Sequence, residues 1–349
     1  MSKKSLIILK FFIFFTLLGM VAFTHSFPET ALAPLKKVAE TVAQKVEPSP
    51  TPFPFQEMTI PYLRSRSFTS SLGKLQQYQS TGTYTSYITK YDSDGLTINA
   101  LLTIPKGEVP PNGFPAVVFI HGYIPPESYR TTERYDSHID YLARSGIVVL
   151  KIDLRGHGDS EGVASGAYYS GNYVIDTLNA YAALETQEYV DSTNIGLWGH
   201  SMAGNVVLRA VAAKKNIAKA VIWAGAVYTY DDFAEYRISD ASYSPPETNS
   251  VRSREREQFR DMYGSYTTDS WFWQQVPATN YLDEVTTAIQ VHHAVNDDVV
   301  SIEYSRGLAE ILKKTTIPFE LYEYQSGGHN ITGTAFTQAM QRTTDFFIE

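Results

Sequence analysis

The sequence predicts an α/β protein built on a mostly parallel sheet with helices on both faces. Three observations carry this. A short, wholly apolar run at 115–120 (P-A-V-V-F-I) and a mostly apolar one at 147–152 (I-V-V-L-K-I) lack the alternation of a half-solvated strand, so they read as strands buried on both sides. Helical stretches at 135–144, 173–183, 301–313 and 335–347 alternate with such runs. One segment, 194–205 (N-I-G-L-W-G-H-S-M-A-G-N), reads as a strand, a tight turn and the start of a helix in direct succession.

Taken in order, residues 1–27 carry an address. Lys3, Lys4 and Lys10 precede an uncharged run over 11–23, the pattern of a signal peptide or N-terminal membrane anchor. Ala31-Leu32-Ala33 offers a small-x-small cleavage pattern, but the following Pro34 disfavours cleavage. Counted from Leu6 with Lys10 snorkelling, the segment is long enough to span a membrane, which favours an anchor with the body exported. Residues 28–56, ending in P-S-P-T-P-F-P-F, read as a stiff Pro-rich linker. The folded domain is expected over 57–349. It opens with alternating strands at 84–90 and 96–104, turned by Asp94-Gly95. Strands at 115–120 and 147–152 flank the helix at 135–144. The helix at 173–183 leads to the strand at 195–198, and a helix at 203–215 follows the tight turn. Strands at 218–224, 288–292 and 319–324 and helices at 301–313 and 335–347 complete the chain.

Composition narrows the function classes. The 349 residues carry a formal charge of -8 and the folded part has no basic stripe, which argues against a nucleic-acid partner. There are no cysteines, so disulfides and thiol catalysis are excluded. Hydrophobic residues make up 43%, enough for a full core.

The turn at 199–204 carries the chemistry. Ser201 at the tip of a strand–turn–helix is the setting of an exposed nucleophile. The residues two before and two after the tip approach closely, so both must be small; Gly199 and Ala203 are. A serine hydroxyl needs a base, and the base an orienting carboxylate. In a sheet of this kind these follow in the order acid, then His. After the strand at 288–292 come Asp297 and Asp298, of which Asp297 is favoured as the acid. After the strand at 319–324 comes G-G-H-N, with His329 as base. Two amides should receive the oxyanion: Met202, next to the nucleophile, and Tyr123 in H-G-Y after the strand at 115–120. His121, Asp153 and His157 read as structural. His292 and His293 are adjacent and point to opposite faces of a strand, so no metal site is read there. No cofactor is implied.

G-H-S-M-A-G, H-G-Y, D-L-R-G-H-G-D-S-E-G, H-A-V-N-D-D-V-V and G-G-H-N together resemble the α/β-hydrolase superfamily over 80–349. They are most similar to the catalytic domain of the prolyl oligopeptidase family and related bacterial acyl hydrolases. Where that family has H-G-x-x-D at the acid, Ala294 replaces the Gly and Asp297 holds the Asp position. The resemblance implies an α/β-hydrolase fold and a Ser–Asp–His hydrolase working through an acyl-enzyme. It leaves open a serine-type peptidase or a carboxylesterase on small esters; a non-catalytic binding module on the same fold is the alternative of another class. The stretch between Phe27 and Tyr84 is too short for a gating β-propeller, which needs at least four blades of about 40 residues.

Residues 225–287 exceed an ordinary connection. They read as a short helical cap over Ser201, aromatic below and solvated above along the run Arg252-Ser253-Arg254-Glu255-Arg256-Glu257. Trp271 and Trp273 are expected to line the site. The alternative is an excursion packed on the sheet edge. Asp231, Asp232 and Glu235 offer a receptor for a substrate amine, or a solvated acidic turn.

Overall fold

A computed structural model describes residues 52–236 and 238–349. The signal-peptide or anchor segment and the linker up to residue 51 lie outside the described residues. Among the described residues no helix is long and apolar enough to cross a membrane.

Nine strands form one sheet: β1 (Gln76–Ser80), β2 (Tyr84–Ser93), β3 (Leu96–Pro105), β4 (Phe114–Ile120), β5 (Val148–Ile152), β6 (Val190–His200), β7 (Lys219–Trp223), β8 (Ala288–Ala294) and β9 (Phe319–Tyr324). Their order is β1-β2-β3-β5-β4-β6-β7-β8-β9. From β5 to β9 all neighbours are parallel, and β1–β3 add an antiparallel edge. The described helices are α1 (Ile60–Ser65), α2 (Asp136–Arg144), α3 (Asn172–Glu185), α4 (Ala203–Ala213), α5 (Tyr230–Glu235), α6 (Val251–Tyr263), α7 (Glu303–Leu312) and α8 (Thr334–Ile348). The fold is that of the α/β-hydrolases, as the motifs imply.

The apolar runs are buried on both sides because alternate residues serve different layers. Val117, Phe119, Trp198, Val221 and Trp223 pack with Leu142 of α2 and Met340 of α8. Val118, Ile120, Leu197 and Ile222 pack against Leu178 of α3 and Val207 of α4. Each fully buried large side chain is worth about 1.5–3 kcal/mol. Every residue of α4, the helix behind Ser201, is buried.

Two elements and one boundary went unread in the sequence. β1 is fully exposed and has no apolar pattern; its pairing with β2 defines it. α1 is a single short helix, started by the Thr59 hydroxyl, which accepts from the Tyr62 amide. The body begins before residue 57. Phe53 packs edge-on against Trp271 and Phe55 against Phe259, both at 5.2 Å between centroids. The last residues assigned to the linker thus belong to the folded unit, which spans Phe53–Glu349. One fully buried cation ties this segment to the rest. Arg209 of α4 donates to the carbonyls of Met58 (2.7 Å), Ala167 (3.2 Å) and Ser170 (2.7 Å).

Candidate active site

Strand register brings the chemistry to one edge. Ile120 of β4 lies beside Gly199 of β6, His200 beside Trp223 of β7, and Trp223 beside His292 of β8. The segments that follow these strands, and β9, therefore emerge together at the carboxyl ends of the parallel strands, where such sheets place their sites.

Ser201 follows β6 directly and takes a left-handed backbone, φ +57°. This is a sparsely populated region for serine. Its amide donates to the Trp223 carbonyl and its carbonyl accepts from the Gly204 amide, both at 2.9 Å, so neighbouring structure holds the turn. The close approach inferred at Gly199 is present: a Cβ there would lie 2.9 Å from the Ala203 carbonyl oxygen and 2.6 Å from Val207 Cγ2.

His329, on the loop after β9, places Nε2 2.9 Å from Ser201 Oγ. Its Nδ1 lies 2.8 Å from Asp297 Oδ2. A carboxylate only accepts, so Nδ1 carries the proton and Nε2 turns its lone pair to the serine hydroxyl. Asp297 is well supported. Its Oδ1 accepts from the amides of Val299 and Val300 at 2.9 Å, and Oδ2 also accepts from His293 Nε2 at 3.1 Å. Burial alone would raise the Asp297 pKa, but hydrogen bonds from His293 and His329 outweigh it and hold the carboxyl below its ordinary range. Asp298 is exposed. The Asn296 side chain accepts from the Gly328 amide at 3.0 Å, which fastens the acid loop to the base loop.

The two amides read as oxyanion donors border the same space. Tyr123 and Met202 both line a cavity of about 260 Å³ that contains Ser201. Among the described residues neither amide has a protein acceptor. Gly122 lies against the nucleophile; a Cβ there would meet Ser201 Cβ at 3.1 Å.

Residues read as structural are so placed. The Asp153 carboxylate accepts from Tyr129 and Thr131, and burial pushes its pKa up to about 7 against those bonds. His121 is buried and stacked on Tyr129, its pKa driven far down by desolvation. His292 bonds Tyr324 and Gln290, whereas His293 bonds Ser305 and Asp297. His157 does more than this, because it also lines the inner cavity.

The reading of 225–287 needs correction. Its first half does roof the site: Phe233, Ile238, Tyr243, Arg252 and Arg256 line the inner cavity. Its second half packs elsewhere. Trp273 is buried with Met58, Phe259 and Phe272, and Trp271 is 57% exposed, so neither tryptophan lines the Ser201 cavity. They were misplaced because aromatic content does not say which face a segment covers. The charged run is not wholly solvated, since Arg252 and Arg256 lie four apart on one face of α6 and turn to the cavity. The aromatic wall that sequence reading missed is Tyr168 and Tyr169, with Tyr173 at the start of α3. The doubled tyrosine before that helix was the available signal.

Ser201 sits between two spaces. The inner one is the aromatic cavity. The outer one, about 620 Å³, is lined by Gly122, Tyr135, His200, Ser201 and His329. A base at His329 returns its proton to the leaving group. With His329 as the base, the outer space would take a leaving group and the inner one an acyl group.

Residues 113–333 match the family described as serine aminopeptidase, S33. The chain belongs to this family. It is an enzyme, a serine hydrolase. Solved structures share the fold at low identity. Acetyl xylan esterase 1 from Thermoanaerobacterium sp. JW/SL YS485 is 18% identical, with a TM-score of 0.59 over 85% of this chain and 94% of its own. Est1E from Butyrivibrio proteoclasticus, solved with ferulic acid bound, is 20% identical, with a TM-score of 0.54 over 74% of this chain and 96% of its own. A puromycin-hydrolyzing peptidase of Mycobacterium tuberculosis is 19% identical, with a TM-score of 0.58 over 77% of this chain and 40% of its own. The hydrolase thus shares its fold with esterases and peptidases.

Proposed function

We propose that this hydrolase cleaves small carboxylic esters, and small amides more slowly, through an acyl-enzyme on Ser201. The observation that carries the reading is the continuous relay Ser201–His329–Asp297, at 2.9 and 2.8 Å, standing between two cavities. Ser201 Oγ attacks the carbonyl carbon while its proton passes to His329 Nε2. Asp297 holds the imidazole and stabilises its cationic form. The Tyr123 and Met202 amides receive the negative oxygen. Collapse expels the leaving group, which takes the proton from His329, and water repeats the sequence to free the acid.

Ester over aminopeptidase chemistry is favoured by what lines the cavity. An aminopeptidase needs carboxylates to hold the substrate ammonium. Asp231, Asp232 and Glu235 are absent from the lining of either cavity, and Asp231 accepts instead from the Tyr266 hydroxyl; the carboxylate that does border both, Asp240, accepts from the Ser242 amide and hydroxyl. The aromatic walls suit an apolar or aromatic acyl group. The structural neighbour that holds ferulic acid is consistent with such a pocket. The second reading, a peptidase, rests on the family's description. A parallel assay of p-nitrophenyl acyl esters and aminoacyl p-nitroanilides decides: kcat/KM should be higher for the esters by roughly 100-fold or more, beyond what leaving-group reactivity gives with Ser201→Ala as the blank. Faster turnover of the free-amine anilides would transfer the assignment to the aminopeptidases.

We further propose that the N-terminal segment exports the enzyme and holds it at a membrane. The basic start and uncharged run of 1–27 support this.

A further inference from the structure

The inner cavity is apolar over most of its wall, yet two cations enter it from α6. Arg252 and Arg256 lie one helical turn apart and both line the space that holds Ser201. Arg256 donates to the Tyr243 hydroxyl at 3.3 Å. Arg252 makes no hydrogen bond to protein among the described residues, and its Nε is buried without an acceptor. A second buried donor stands in the same wall: the Ser165 hydroxyl, likewise without a partner. Gly166, next to it, makes room for the guanidinium. A Cβ there would lie 3.1 Å from Arg252 Nη2, and Gly166 has φ +86°, a conformation side chains rarely adopt. Burial is the main cause that lowers the His157 pKa, and the Arg252 charge adds a smaller effect in the same direction.

Carboxylates nearby do not answer this charge. Among the described residues neither guanidinium has an ion pair within 4 Å. Asp240 also borders the cavity, but it borders the outer space too and accepts from the Ser242 amide and hydroxyl at 2.8 and 2.6 Å. Glu57 and Glu255 line an adjoining cavity that Arg252, Arg256 and Ser165 also border, but among the described residues neither carboxylate forms an ion pair with either guanidinium. Buried donors left unpaired are costly, and a guanidinium beside a hydroxyl is the donor set that a carboxylate takes most strongly.

We propose that the inner cavity selects acyl groups that are apolar or aromatic next to the scissile carbonyl and end in a carboxylate, which Arg252 binds with Arg256 and Ser165 beside it. The substrates are then half-esters of dicarboxylic acids or arylacyl esters bearing an acid. This rests on Ser201 being the nucleophile and on the acyl group occupying the inner cavity.

The test compares mono-p-nitrophenyl adipate and suberate with neutral p-nitrophenyl hexanoate and octanoate, on the wild type and on Arg252→Gln and Arg252→Lys. The readout is the ratio of kcat/KM, acidic over neutral at equal chain length, which does not depend on the folded fraction of each variant. We expect a wild-type ratio above one for at least one length, a fall of roughly 10-fold or more in Arg252→Gln, and partial recovery in Arg252→Lys. High salt should lower the wild-type ratio. A wild-type ratio below one at both lengths, or an unchanged ratio in Arg252→Gln, overturns the proposal. The underlying site is judged separately: if a fluorophosphonate labels Ser201 and neutral esters are cleaved, only the acid pocket falls. Ester turnover that survives Ser201→Ala removes the site itself.

Discussion

The side chain of His200 hydrogen-bonds the main-chain carbonyl of His329, with Nε2 at 2.9 Å from the oxygen. A carbonyl only accepts, so Nε2 carries the proton. Burial drives the His200 pKa down to about 3, which keeps the ring neutral and leaves Nδ1 as an acceptor. Tyr135 donates to it at 2.8 Å and in turn accepts from the Gly122 amide at 3.0 Å. One chain of bonds thus joins the loop of the proposed oxyanion donor to the loop of the proposed base. Tyr135→Phe cuts this chain at its middle without changing shape. It should lower kcat by roughly 10-fold and leave KM nearly unchanged, as expected for positioning worth about one hydrogen bond. Steady-state kinetics on one ester check it; a rise in KM alone would show that Tyr135 serves binding instead.

Ser201→Ala should lower turnover on the order of 10⁶-fold and abolish fluorophosphonate labelling, with the fold intact. Asp297→Asn should cost about 10⁴-fold, because His329 would lose the acceptor that sets its tautomer. Asp298→Asn should change little. The three variants, assayed on one ester with circular dichroism as a check on folding, test the relay. Greater damage from Asp298→Asn would shift the acid by one residue.

Acid should destabilise this protein from about pH 6.5 downward. Burial depresses His138, His200 and His292 to about 3, so each binds a proton more readily unfolded than folded. Their contribution is complete above the unfolded value of 6.5 and is lost as pH falls toward 3. Each costs up to about 1.4 kcal/mol per pH unit in that window. His138 packs among Phe119, Trp198, Trp223 and Phe336, and its Nδ1 has no partner. His138→Phe should therefore flatten the slope. Urea midpoints at pH 7.5, 5.5 and 4.5 measure it; equal slopes in the two proteins would contradict the burial argument.

Trp271→Ala and Trp273→Ala should leave the acyl-length profile unchanged, while Trp273→Ala costs about 3–5 kcal/mol of stability as a core truncation. Tyr169→Ala or Phe233→Ala should shift the profile, each methylene being worth about 1–3 kcal/mol of discrimination. An ester series on the four variants separates the two groups.

Much of this was legible in the residues. Apolar runs located β4, β5, β7, β8 and β9 to within two residues, whereas β6 was read at 195–198 and extends over Val190–His200, because its first half is polar and partly exposed. The order Ser201, Asp297, His329 was legible because the turn at 199–204 demands small flanks and each partner follows a recognisable strand. The lining of the pocket was not. Tyr169 and Trp271 are both aromatic residues in loops, and only packing against Phe53 shows that this tryptophan turns away. Arg252 and Arg256 sit in a run whose composition is that of a solvated surface, and their inward face depends on where α6 lies.

Deleting residues 1–33 should move the enzyme from the membrane to the soluble fraction with kcat/KM preserved. Fractionation and assay of the two forms in the native host check this; a full-length chain found wholly soluble in the cytoplasm would remove the export proposal.

The pocket has two unlike walls, and Arg209 fixes one of them. On one side, the segment bearing Tyr168 and Tyr169 is bracketed by the Ala167 and Ser170 carbonyls, both held by a guanidinium rooted in the helix behind the nucleophile. That wall is set before any ligand arrives, and binding against it costs little ordering. On the other side, α6 presents long cationic side chains, secured toward the cavity by one bond from Arg256 to Tyr243. Here rotamers must be frozen on binding, at about 0.5–1.5 kcal/mol per side chain. Redesign of acyl preference should accordingly start from the α6 wall, where substitutions leave the scaffold of Ser201 untouched. Changes at the tyrosine wall would propagate through Arg209 to α4 and to Met58.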